Sequence, residues 1–378
     1  MWKSGGALAL CLGLWAGCSS APATRPAPPT AASAAPTTAP SAASIGAQPT
    51  AAAPAPAALV PLSPPATVKV GTNVASLTGA GTFIALEKGY FAEVGIMPEI
   101  IQLRTSQETI PPLVTGELDV GQAALSAATY NALGRDIPLR LVADSAYSPP
   151  GYDPMAFVVR KDLWESGAFQ GYGDLRGKRV ATGGGGSVSQ LALDLALRRA
   201  GLDLSDVETT TLSFPDMNVA LGNGSIDVGV QIEPSVAAGL ARDLFVLYRW
   251  TDDVLPPMQF SAVMYSPQFR ANREAANRFM LAYLRGVRDY VTAVRTGEGK
   301  AAMVQALIKH TAVKDPALYD QMRYLLMNPD GRLDVENLVW QVARYHEGGW
   351  VREPLDIAAL VDHSYADWAV SQLGPAAQ

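Results

Sequence analysis

Cysteine is nearly absent from this sequence, and histidine is scarce. The 378 residues contain two cysteines, Cys11 and Cys18, so the chain after Cys18 offers no disulfide, no thiolate metal site and no cysteine nucleophile. The three histidines, His310, His346 and His363, are spaced too widely for the paired ligands of a helical zinc site. The sequence therefore predicts no metal site, and we identify no catalytic residue in it.

Positive charge is also in short supply. Lysine and arginine number 29 against 35 acidic residues, which gives a formal net charge of −6 and a pI near 5.2. Such a chain matches neither nucleic acid nor an anionic membrane surface, and we expect neither as a partner. Hydrophobic residues nevertheless make up 48% of the chain, enough for large cores and two lobes.

The start of the chain has an apolar run that is too short to span a membrane of about 30 Å. Residues 7–16 are apolar and follow a positive charge at Lys3, which is the pattern of an export signal. Small residues stand directly before Cys18, as in the bacterial lipobox, although Trp15 replaces the usual leucine or valine. We expect residues 1–18 to be a lipoprotein signal peptide and Cys18 to be lipid-modified, with an ordinary secretory signal as the alternative.

Residues 19–67 are almost entirely alanine, proline, serine and threonine, with Arg25 as the only charge. A segment of this composition cannot bury enough apolar surface to offset the entropy lost on ordering. Proline keeps such a chain extended, at about 3.1 Å per residue. We interpret it as a disordered tether between the cell membrane and a folded region on its extracytoplasmic face.

One short pattern occurs twice in the folded region. Residues 113–121 and residues 221–229 share a leucine, a central glycine and a closing Asp-Val-Gly. Each reads as a helix that ends on a glycine, Gly116 or Gly224, because glycine adopts the left-handed conformation of a helix C-terminus. An aspartate in a tight turn and a short apolar strand follow. The repeat predicts two similar α/β lobes.

The same order of elements surrounds both copies. A strand, a glycine-rich loop (78–82 or 183–189), a helix, a strand and a helix precede each repeated strand. Alternating units of this kind build parallel sheets, and ligands bind beyond the carboxyl ends of their strands. Residues 245–250 and 259–265 are predicted to be strands that return toward the first lobe. The helical remainder, from residue 267, is predicted to complete that lobe.

Several motifs, in their order along the chain, carry a resemblance to a known family. They are residues 85–91 (Ala-Leu-Glu-Lys-Gly-Tyr-Phe), 116–120 (Gly-Glu-Leu-Asp-Val), 174–180 (Asp-Leu-Arg-Gly-Lys-Arg-Val), 224–227 (Gly-Ser-Ile-Asp), 233–234 (Glu-Pro) and 282–290. With them, residues 68–374 resemble the solute-binding proteins of bacterial ABC importers, in the branch of sulfonate, nitrate and thiamine-pyrimidine binders.

The resemblance implies a two-lobed α/β periplasmic-binding-protein fold of type II, with ligand in the cleft between the lobes. Residues 68–154 and 256–378 are then the first lobe, and residues 155–255 are the second. Closure of the lobes is expected to bend the strands near residues 147–155 and 250–260. The implied partners are a small-molecule ligand and the permease and ATPase subunits of an importer, and we expect a monomer.

The candidate ligand-binding residues lie on loops after predicted strands and near the crossing between lobes. They are Asn73, Thr78, Ser126, Tyr147, Tyr152, Asp153, Ser187, Ser189, Phe214, Gln231 and Glu233. Each of them is also a common kind of half-buried turn residue. Ser187 and Ser189 either cap the following helix or reach the ligand, and the sequence leaves both open. Glu233 has the strongest individual case, since it follows the second repeated strand and has a counterpart in the family.

The glycine-rich loop at residues 183–189 does not indicate a nucleotide site. It lacks both the Gly-x-Gly-x-x-Gly pattern and a Lys-Ser or Lys-Thr pair after the glycines. Its glycines would let a ligand approach the backbone, where the N–H groups at a helix start can donate hydrogen bonds.

The candidate residues include aromatics, amides, hydroxyls and two acids, but no cation. This set suits a flat heteroaromatic ring that stacks on tyrosine or phenylalanine and bonds at its edge to Asp153 or Glu233. We therefore expect riboflavin first and a thiamine pyrimidine second. A binder of an aliphatic sulfonate, taurine or nitrate is the alternative, because helix starts can hold anions without a cation.

Two further alternatives are a sensor or adhesion domain that does not serve transport and an enzyme like the eukaryotic pyrimidine synthase. That enzyme depends on a histidine, a cofactor-binding lysine and a cysteine-rich segment. This chain has no cysteine after Cys18 and no histidine before His310. We therefore expect no enzymatic activity and no cofactor.

Overall fold

The computed structural model describes residues 59–73, 77–103, 106–135 and 139–376. The predicted signal peptide, Cys18 and most of the predicted tether lie outside these residues. Within them, no helix is both long enough and apolar enough to cross a membrane.

The described residues form two five-stranded sheets. The strands are β1 (Ala66–Asn73), β2 (Ile96–Leu103), β3 (Val120–Ala124), β4 (Arg140–Ser148), β5 (Met155–Arg160), β6 (Arg179–Thr182), β7 (Glu208–Thr211), β8 (Val228–Ile232), β9 (Phe245–Trp250) and β10 (Met258–Tyr265). The first sheet has the order β2-β1-β3-β10-β4, and the second has the order β7-β6-β8-β5-β9. The strands of each sheet therefore come from one of the two predicted lobes.

The helices cover the sheets, and their bounds are α1 (Ala80–Glu87), α2 (Tyr90–Glu93), α3 (Ile110–Thr115), α4 (Ala127–Leu133), α5 (Lys161–Glu165), α6 (Val188–Arg199), α7 (Phe214–Gly222), α8 (Ser235–Ala241), α9 (Pro267–Ala271), α10 (Arg273–Thr296), α11 (Lys300–His310), α12 (Leu318–Gln321), α13 (Val335–Glu347), α14 (Ile357–Leu360) and α15 (Ser364–Leu373). α10 buries Phe279, Tyr283, Val287 and Tyr290 completely, because they share one face at helical spacing. The hydroxyl of Tyr283 donates to the Asp144 carbonyl on β4, so α10 packs on the first sheet.

Each sheet is mostly parallel but contains one strand that runs the other way. In the first sheet β10 is antiparallel to β3 and β4, and in the second β5 is antiparallel to β8 and β9. β10 enters its sheet from the second lobe, and β5 enters from the first. The prediction that residues 245–250 also return to the first lobe is wrong, because β9 pairs with β5 at the edge of the second sheet.

The repeated pattern forms similar structures in both lobes, although Gly116 itself caps α3 whereas Asn223, one residue before Gly224, caps α7. Gly116 and Gly224 have φ angles of 80° and 75°, a left-handed conformation that favours glycine. The following aspartates fasten the strands in the same way. Asp119 accepts the Lys69 backbone N–H at 2.8 Å, and Asp227 accepts the Arg179 backbone N–H at 2.9 Å. The repeated residues therefore set the start of two equivalent parallel strand pairs, β1–β3 and β6–β8.

The folded region begins before residue 68. Leu59 and Leu62 pack on the core of the first lobe, and the Arg278 guanidinium donates to the Val60 carbonyl at 2.7 Å. The last part of the predicted tether therefore belongs to the packed structure, since it contributes apolar side chains that the composition of the whole segment conceals.

The two repeated aspartates provide a matched pair of stability variants. Asp227 also forms ion pairs with Arg160 at 2.8 Å and Arg179 at 2.7 Å. Burial alone would raise the pKa of Asp227, but hydrogen bonds and charges from these arginines outweigh it and lower the pKa. We expect Asp227→Asn to cost about 2 kcal/mol in the free energy of unfolding and Asp119→Asn about 1 kcal/mol, measured by urea denaturation at pH 7.

Denaturation at low pH provides the control for this comparison. A lowered pKa contributes stability above the unfolded value, and that contribution is lost as the pH falls through the folded value. The difference between the two variants should therefore shrink when denaturation is repeated at about pH 3. A difference that persists there, or equal costs at pH 7, would contradict the ionic role of Asp227.

Candidate functional site

A cleft of about 190 Å³ lies between the lobes at the carboxyl ends of the parallel strands. Both lobes line it. The lining residues are Asn73, Leu77, Thr78, Ala124, Ser126, Pro154, Met155, Gly183, Ser187, Val188, Ser189, Leu212, Ser213, Phe214, Pro215, Ile232, Glu233, Phe260 and Leu325.

Sheet topology explains why these residues meet. Asn73, Ala124 and Ile232 end β1, β3 and β8, while Gly183 and Leu212 directly follow β6 and β7. Because parallel strands end at one edge of a sheet, their loops collect there. The antiparallel strands β5 and β10 begin at the same edges.

Seven of the predicted ligand residues lie in this lining, namely Asn73, Thr78, Ser126, Ser187, Ser189, Phe214 and Glu233. They come from strand ends, loops and helix starts of both lobes, so the structure brings together residues far apart in the sequence. Their contact with a ligand remains a prediction.

The other four predicted ligand residues lie outside the lining. Tyr147 pairs through its backbone with Leu326, and the Tyr152 N–H donates to the Pro149 carbonyl in the turn before β5. Both tyrosines therefore belong to the crossing between lobes rather than to the cleft surface.

Asp153 and Gln231 are buried and bonded within the protein. Asp153 accepts hydrogen bonds from the Met155 N–H at 2.9 Å and the Thr251 hydroxyl at 2.6 Å. Gln231 donates at 2.8 Å to the Phe214 carbonyl and to Asn218. Gln231 thus positions the start of α7 and its Phe214 ring, and the position after a strand was not enough to distinguish this role from ligand contact.

Sequence reasoning missed the apolar part of the lining. Met155 begins β5 and Phe260 is the third residue of β10, the strands that follow the two crossings between lobes, and Leu325 comes from the helical tail. The search favoured polar and aromatic residues after parallel strands. The position of Phe260 near the start of a predicted crossing strand was an available signal, whereas nothing local distinguished Leu325.

Hydroxyl groups mark the helix starts at the cleft. Ser126, Ser187 and Ser213 are the N-cap residues of α4, α6 and α7, and each side chain accepts a backbone N–H of its helix. Ser189 accepts the Gly183 N–H at 2.8 Å. Ser187 therefore does cap α6, and it also faces the cleft.

The lobes touch beside these helix starts. The Ala127 N–H, at the start of α4, donates to the Gly186 carbonyl of the second lobe at 2.9 Å. Gly186 has a φ angle of 66°, and a Cβ atom placed there would lie 2.6 Å from the Ala127 Cβ and 3.2 Å from that of Trp350. Only glycine allows this approach without displacement of the neighbouring lobe.

Glu233 is the acid of the lining. It is 3% exposed, and its carboxylate accepts the Ala237 N–H at 2.9 Å and the Arg323 N–H at 3.1 Å. Burial raises the pKa of Glu233 to about 7, although these two hydrogen bonds lower it. The carboxyl therefore changes its protonation near neutral pH.

Arg323 also connects the two lobes. Its side chain donates to the Gly151 carbonyl at 2.8 Å and to the Asp252 carboxylate at 2.7 Å. It also stacks on Trp250, with its guanidinium carbon 4.8 Å from the ring centre. Arg323 of the helical tail thus contacts both segments in which the chain crosses between lobes.

The described residues contain no group of three or more histidine, cysteine, aspartate or glutamate side chains able to hold a metal ion. The lining also contains no lysine, arginine or histidine. What this cleft offers a ligand is hydroxyl groups, helix starts, one buried carboxyl and an apolar surface.

Gly186 allows a test of the contact at the cleft mouth. We expect Gly186→Ala to weaken solute binding at least tenfold, because its Cβ would hold Ala127 and the second-lobe loop apart. Gly185→Ala is the control, since a Cβ there has its nearest neighbour at 3.9 Å. Calorimetric titration of both variants with the same solute would measure the two affinities. Equal affinities would contradict the role of this contact.

Buried carboxyls predict how stability depends on pH. Burial raises the pKa of Asp144 to about 7 and that of Asp153 to about 6, as it does for Glu233. Between about pH 4.5 and 7 the native state holds protons that the unfolded state has released, so the free energy of unfolding falls as pH rises. Each unit of raised pKa corresponds to about 1.4 kcal/mol.

We therefore expect urea denaturation, followed by tryptophan fluorescence, to show lower stability at pH 8 than at pH 5. Glu233→Gln cannot titrate, so its loss over this range should be smaller than in the unmodified protein. Glu208→Gln, at an exposed position of β7, should leave the slope unchanged. A Glu233→Gln slope equal to that of the unmodified protein would show that Glu233 does not titrate in this range.

Comparison with solved structures identifies the fold. The alkanesulfonate-binding protein SsuA from Xanthomonas axonopodis pv. citri, bound to MOPS, superimposes with a TM-score of 0.63 at 16% identity, covering 79% of this chain and 98% of that one. The nitrate-binding protein NrtA from Synechocystis PCC 6803 gives 0.63 at 14% identity, covering 82% and 89%. The chain therefore has the two-lobed fold of the periplasmic binding proteins.

Sequence comparison then gives the family. The model of the NMT1/THI5-like family matches residues 78–293, more than half of the chain, and the protein belongs to that family. It is also similar to a 4-amino-5-hydroxymethyl-2-methylpyrimidine phosphate synthase from Aspergillus parasiticus, with 26% identity over 227 residues. That match covers 57% of this chain and 63% of the relative, so the chain spans less than two thirds of the relative's length.

Proposed function

We propose that this protein is the solute-binding component of an ABC importer and captures a small organic anion of the sulfonate class. The observation that carries the proposal is a cleft without cations in which the start of α6 meets hydroxyl groups from both lobes. Backbone N–H groups and the helix dipole at such starts favour an acceptor-rich head group. Ser126 and Ser187 add hydroxyl groups at the same place.

The rest of the lining suits the organic part of such a solute. Leu212, Phe214 and Ile232 come from the second lobe, and Phe260 and Leu325 come from the first. Burying an apolar body against them contributes about 25 cal/mol for each Å² removed from water. The polar groups then fix the orientation of the head group.

The comparisons support this class over the one that the sequence favoured. The solved neighbours include an alkanesulfonate-binding and a nitrate-binding protein. The riboflavin expectation depended on several aromatic candidates, and Tyr147 and Tyr152 lie outside the lining. The edge-bonding role expected of Asp153 also loses its basis, because Asp153 is bonded to Met155 and Thr251.

A thiamine pyrimidine is the second candidate. The similar protein from Aspergillus parasiticus is named for a pyrimidine phosphate. Phe214 and Phe260 offer ring surfaces in the cleft, and Glu233 offers a carboxyl that could bond the edge of an aminopyrimidine. We propose binding without catalysis for either solute.

The N-terminal residues complete the proposed arrangement. Lipid at Cys18 would anchor the protein at the extracytoplasmic face of the cell membrane, and the proline-rich tether would let the folded region reach its permease. A monomer whose lobes close over the solute would present it to the permease, with the ATPase subunits driving import.

A panel of solutes tests the proposal on the full chain. We expect an alkanesulfonate to raise the melting temperature, because a ligand at 100 times its Kd stabilises the native state by about 2.7 kcal/mol. Riboflavin and 4-amino-5-hydroxymethyl-2-methylpyrimidine are the competing solutes. Stabilisation by either of these two, with none from sulfonates or nitrate, would make the sulfonate assignment wrong.

A serine pair supplies the matched control for this panel. Ser187→Ala should weaken sulfonate binding about tenfold, since it removes a hydroxyl at the head-group end of the cleft. It should also cost about 1 kcal/mol of stability, because the α6 cap is lost. Ser205→Ala, at an exposed position of a short 3-10 helix in the same lobe (Leu204–Asp206), should change the Kd by less than twofold. Equal affinities of the two variants would place the head group elsewhere.

A further inference from the structure

One segment of the helical tail contacts both lobes. It is residues 322–328, which lie between α12 and α13. Leu326 pairs with Tyr147 of β4 through two backbone hydrogen bonds of 2.8 and 2.9 Å, and the Asn328 N–H donates to the Asp144 carboxylate. The segment is therefore fixed to the first sheet and moves with the first lobe.

Arg323 extends from this segment to the second lobe. Its guanidinium carbon lies 4.8 Å from the centre of the Trp250 ring, at the end of β9. Its Nε donates at 2.8 Å to the Gly151 carbonyl, in the crossing from β4 to β5. Its Nη2 donates at 2.7 Å to Asp252, in the crossing from β9 to β10. One side chain thus contacts both crossings and the edge strand of the second sheet.

The charge on Arg323 strengthens these contacts. Hydrogen bonds from a guanidinium are about twice as strong as those between neutral groups, and the side chain is only 20% exposed, which limits screening by water. With residues 155–255 taken as the second lobe, every other salt bridge of the described residues joins two groups of one lobe. Among those residues, the pair of Arg323 and Asp252 is therefore the salt bridge that depends on how the lobes are placed.

Rotation of the lobes about the two crossings separates these groups. Arg323 stays with the first lobe, whereas Trp250 belongs to the second sheet, so opening draws the guanidinium away from the ring. The same rotation breaks the contact at the cleft mouth, where the Ala127 nitrogen lies 2.9 Å from the Gly186 carbonyl oxygen. The two contacts are therefore made together or lost together.

We propose that Arg323 is a latch that holds the two lobes closed before a solute is bound. The latch raises the closed fraction of the free protein. A solute that binds the closed form gains apparent affinity in proportion to that fraction. This role is the same for any solute, and it does not rest on the sulfonate assignment.

Exchange of the Ala127 amide hydrogen measures opening, because its acceptor belongs to the other lobe. In the solute-free full chain at pH 7, we expect Arg323→Met to speed this exchange at least fivefold, since exchange follows the population of the open form. The Tyr130 N–H lies on the same helix but donates to the Ser126 carbonyl at 2.9 Å within the first lobe, so its exchange should not change. Equal acceleration at both amides would indicate unfolding of α4 and overturn the latch.

Arg288→Met is the matched control. The Arg288 side chain is 21% exposed, close to the 20% of Arg323. It also donates to an aspartate, Asp330 at 2.7 Å, and to a carbonyl, that of Pro329 at 3.1 Å, but these partners lie in the first lobe. The control should leave Ala127 exchange within twofold of the unmodified protein. An equal effect of the two variants, or an Ala127 amide already unprotected in the unmodified protein, would overturn the proposal.

Asp252→Asn tests the same pair from the second lobe. Alone it should speed Ala127 exchange at least twofold, and in the Arg323→Met background it should add nothing, because the partner is already gone. An additive effect would mean that Asp252 acts through another group, and the latch would be wrong. None of these measurements uses a solute. A failed latch therefore leaves the proposed function standing, and a solute panel without any binding leaves the exchange result valid.

Discussion

The rest of the structure depends on the direction of one strand in each sheet. That strand is antiparallel to its neighbours, which run parallel to one another. β10 enters the first sheet beside β3, and β5 enters the second beside β8. An antiparallel strand must begin where its parallel neighbours end. The chain therefore crosses between the lobes at the edge where the loops collect, so the cleft and the crossings occupy the same place.

The repeated aspartate turn fixes the geometry on which this constraint acts. Asp119 and Asp227 accept the backbone N–H of the residue just before each β1–β3 or β6–β8 pairing begins, so the two pairs start in the same way. The second lobe adds arginine partners to its aspartate, and the first lobe does not show this addition in the described residues. The two lobes thus have equivalent folds, but the repeated aspartate has different charged partners in each.

Charge distribution gives the cleft its chemical character. Helix starts and hydroxyl groups provide partial positive charge without a cation, while Glu233 provides a buried carboxyl whose protonation changes near neutral pH. Glu233 is almost fully buried, whereas Ser187 is half-buried and Ser213 is exposed. This burial makes Glu233 costly to ionise, because no salt bridge among the described residues compensates its charge.

Much of the fold could be predicted from local sequence pattern. The left-handed glycines at 116 and 224, the strand after each aspartate and the apolar face of α10 all depend on neighbours within a few residues. The candidate residues on loops after parallel strands could be found for the same reason, as Ser126, Ser187 and Phe214 show.

Local sequence pattern did not predict which residues near the crossings form hydrogen bonds within the protein. Four predicted ligand residues have side chains and positions typical of ligand contact, but they form hydrogen bonds within the protein. Their partners are Leu326 for Tyr147, Pro149 for Tyr152, Thr251 for Asp153 and Asn218 for Gln231. Leu325 reaches the cleft from a distant part of the chain. Contacts between residues so far apart in sequence are set by packing, which no short window of sequence encodes.

The sequence by itself determined the two repeated α/β units and their cation-poor loops, because backbone conformation and side-chain charge are properties of short segments. Only the tertiary structure decided which loops face each other, that Gly186 meets Ala127, and that Glu233 is buried without a salt bridge among the described residues. Those features arise when two sheets pack together, since burial and opposing surfaces exist only in the folded chain.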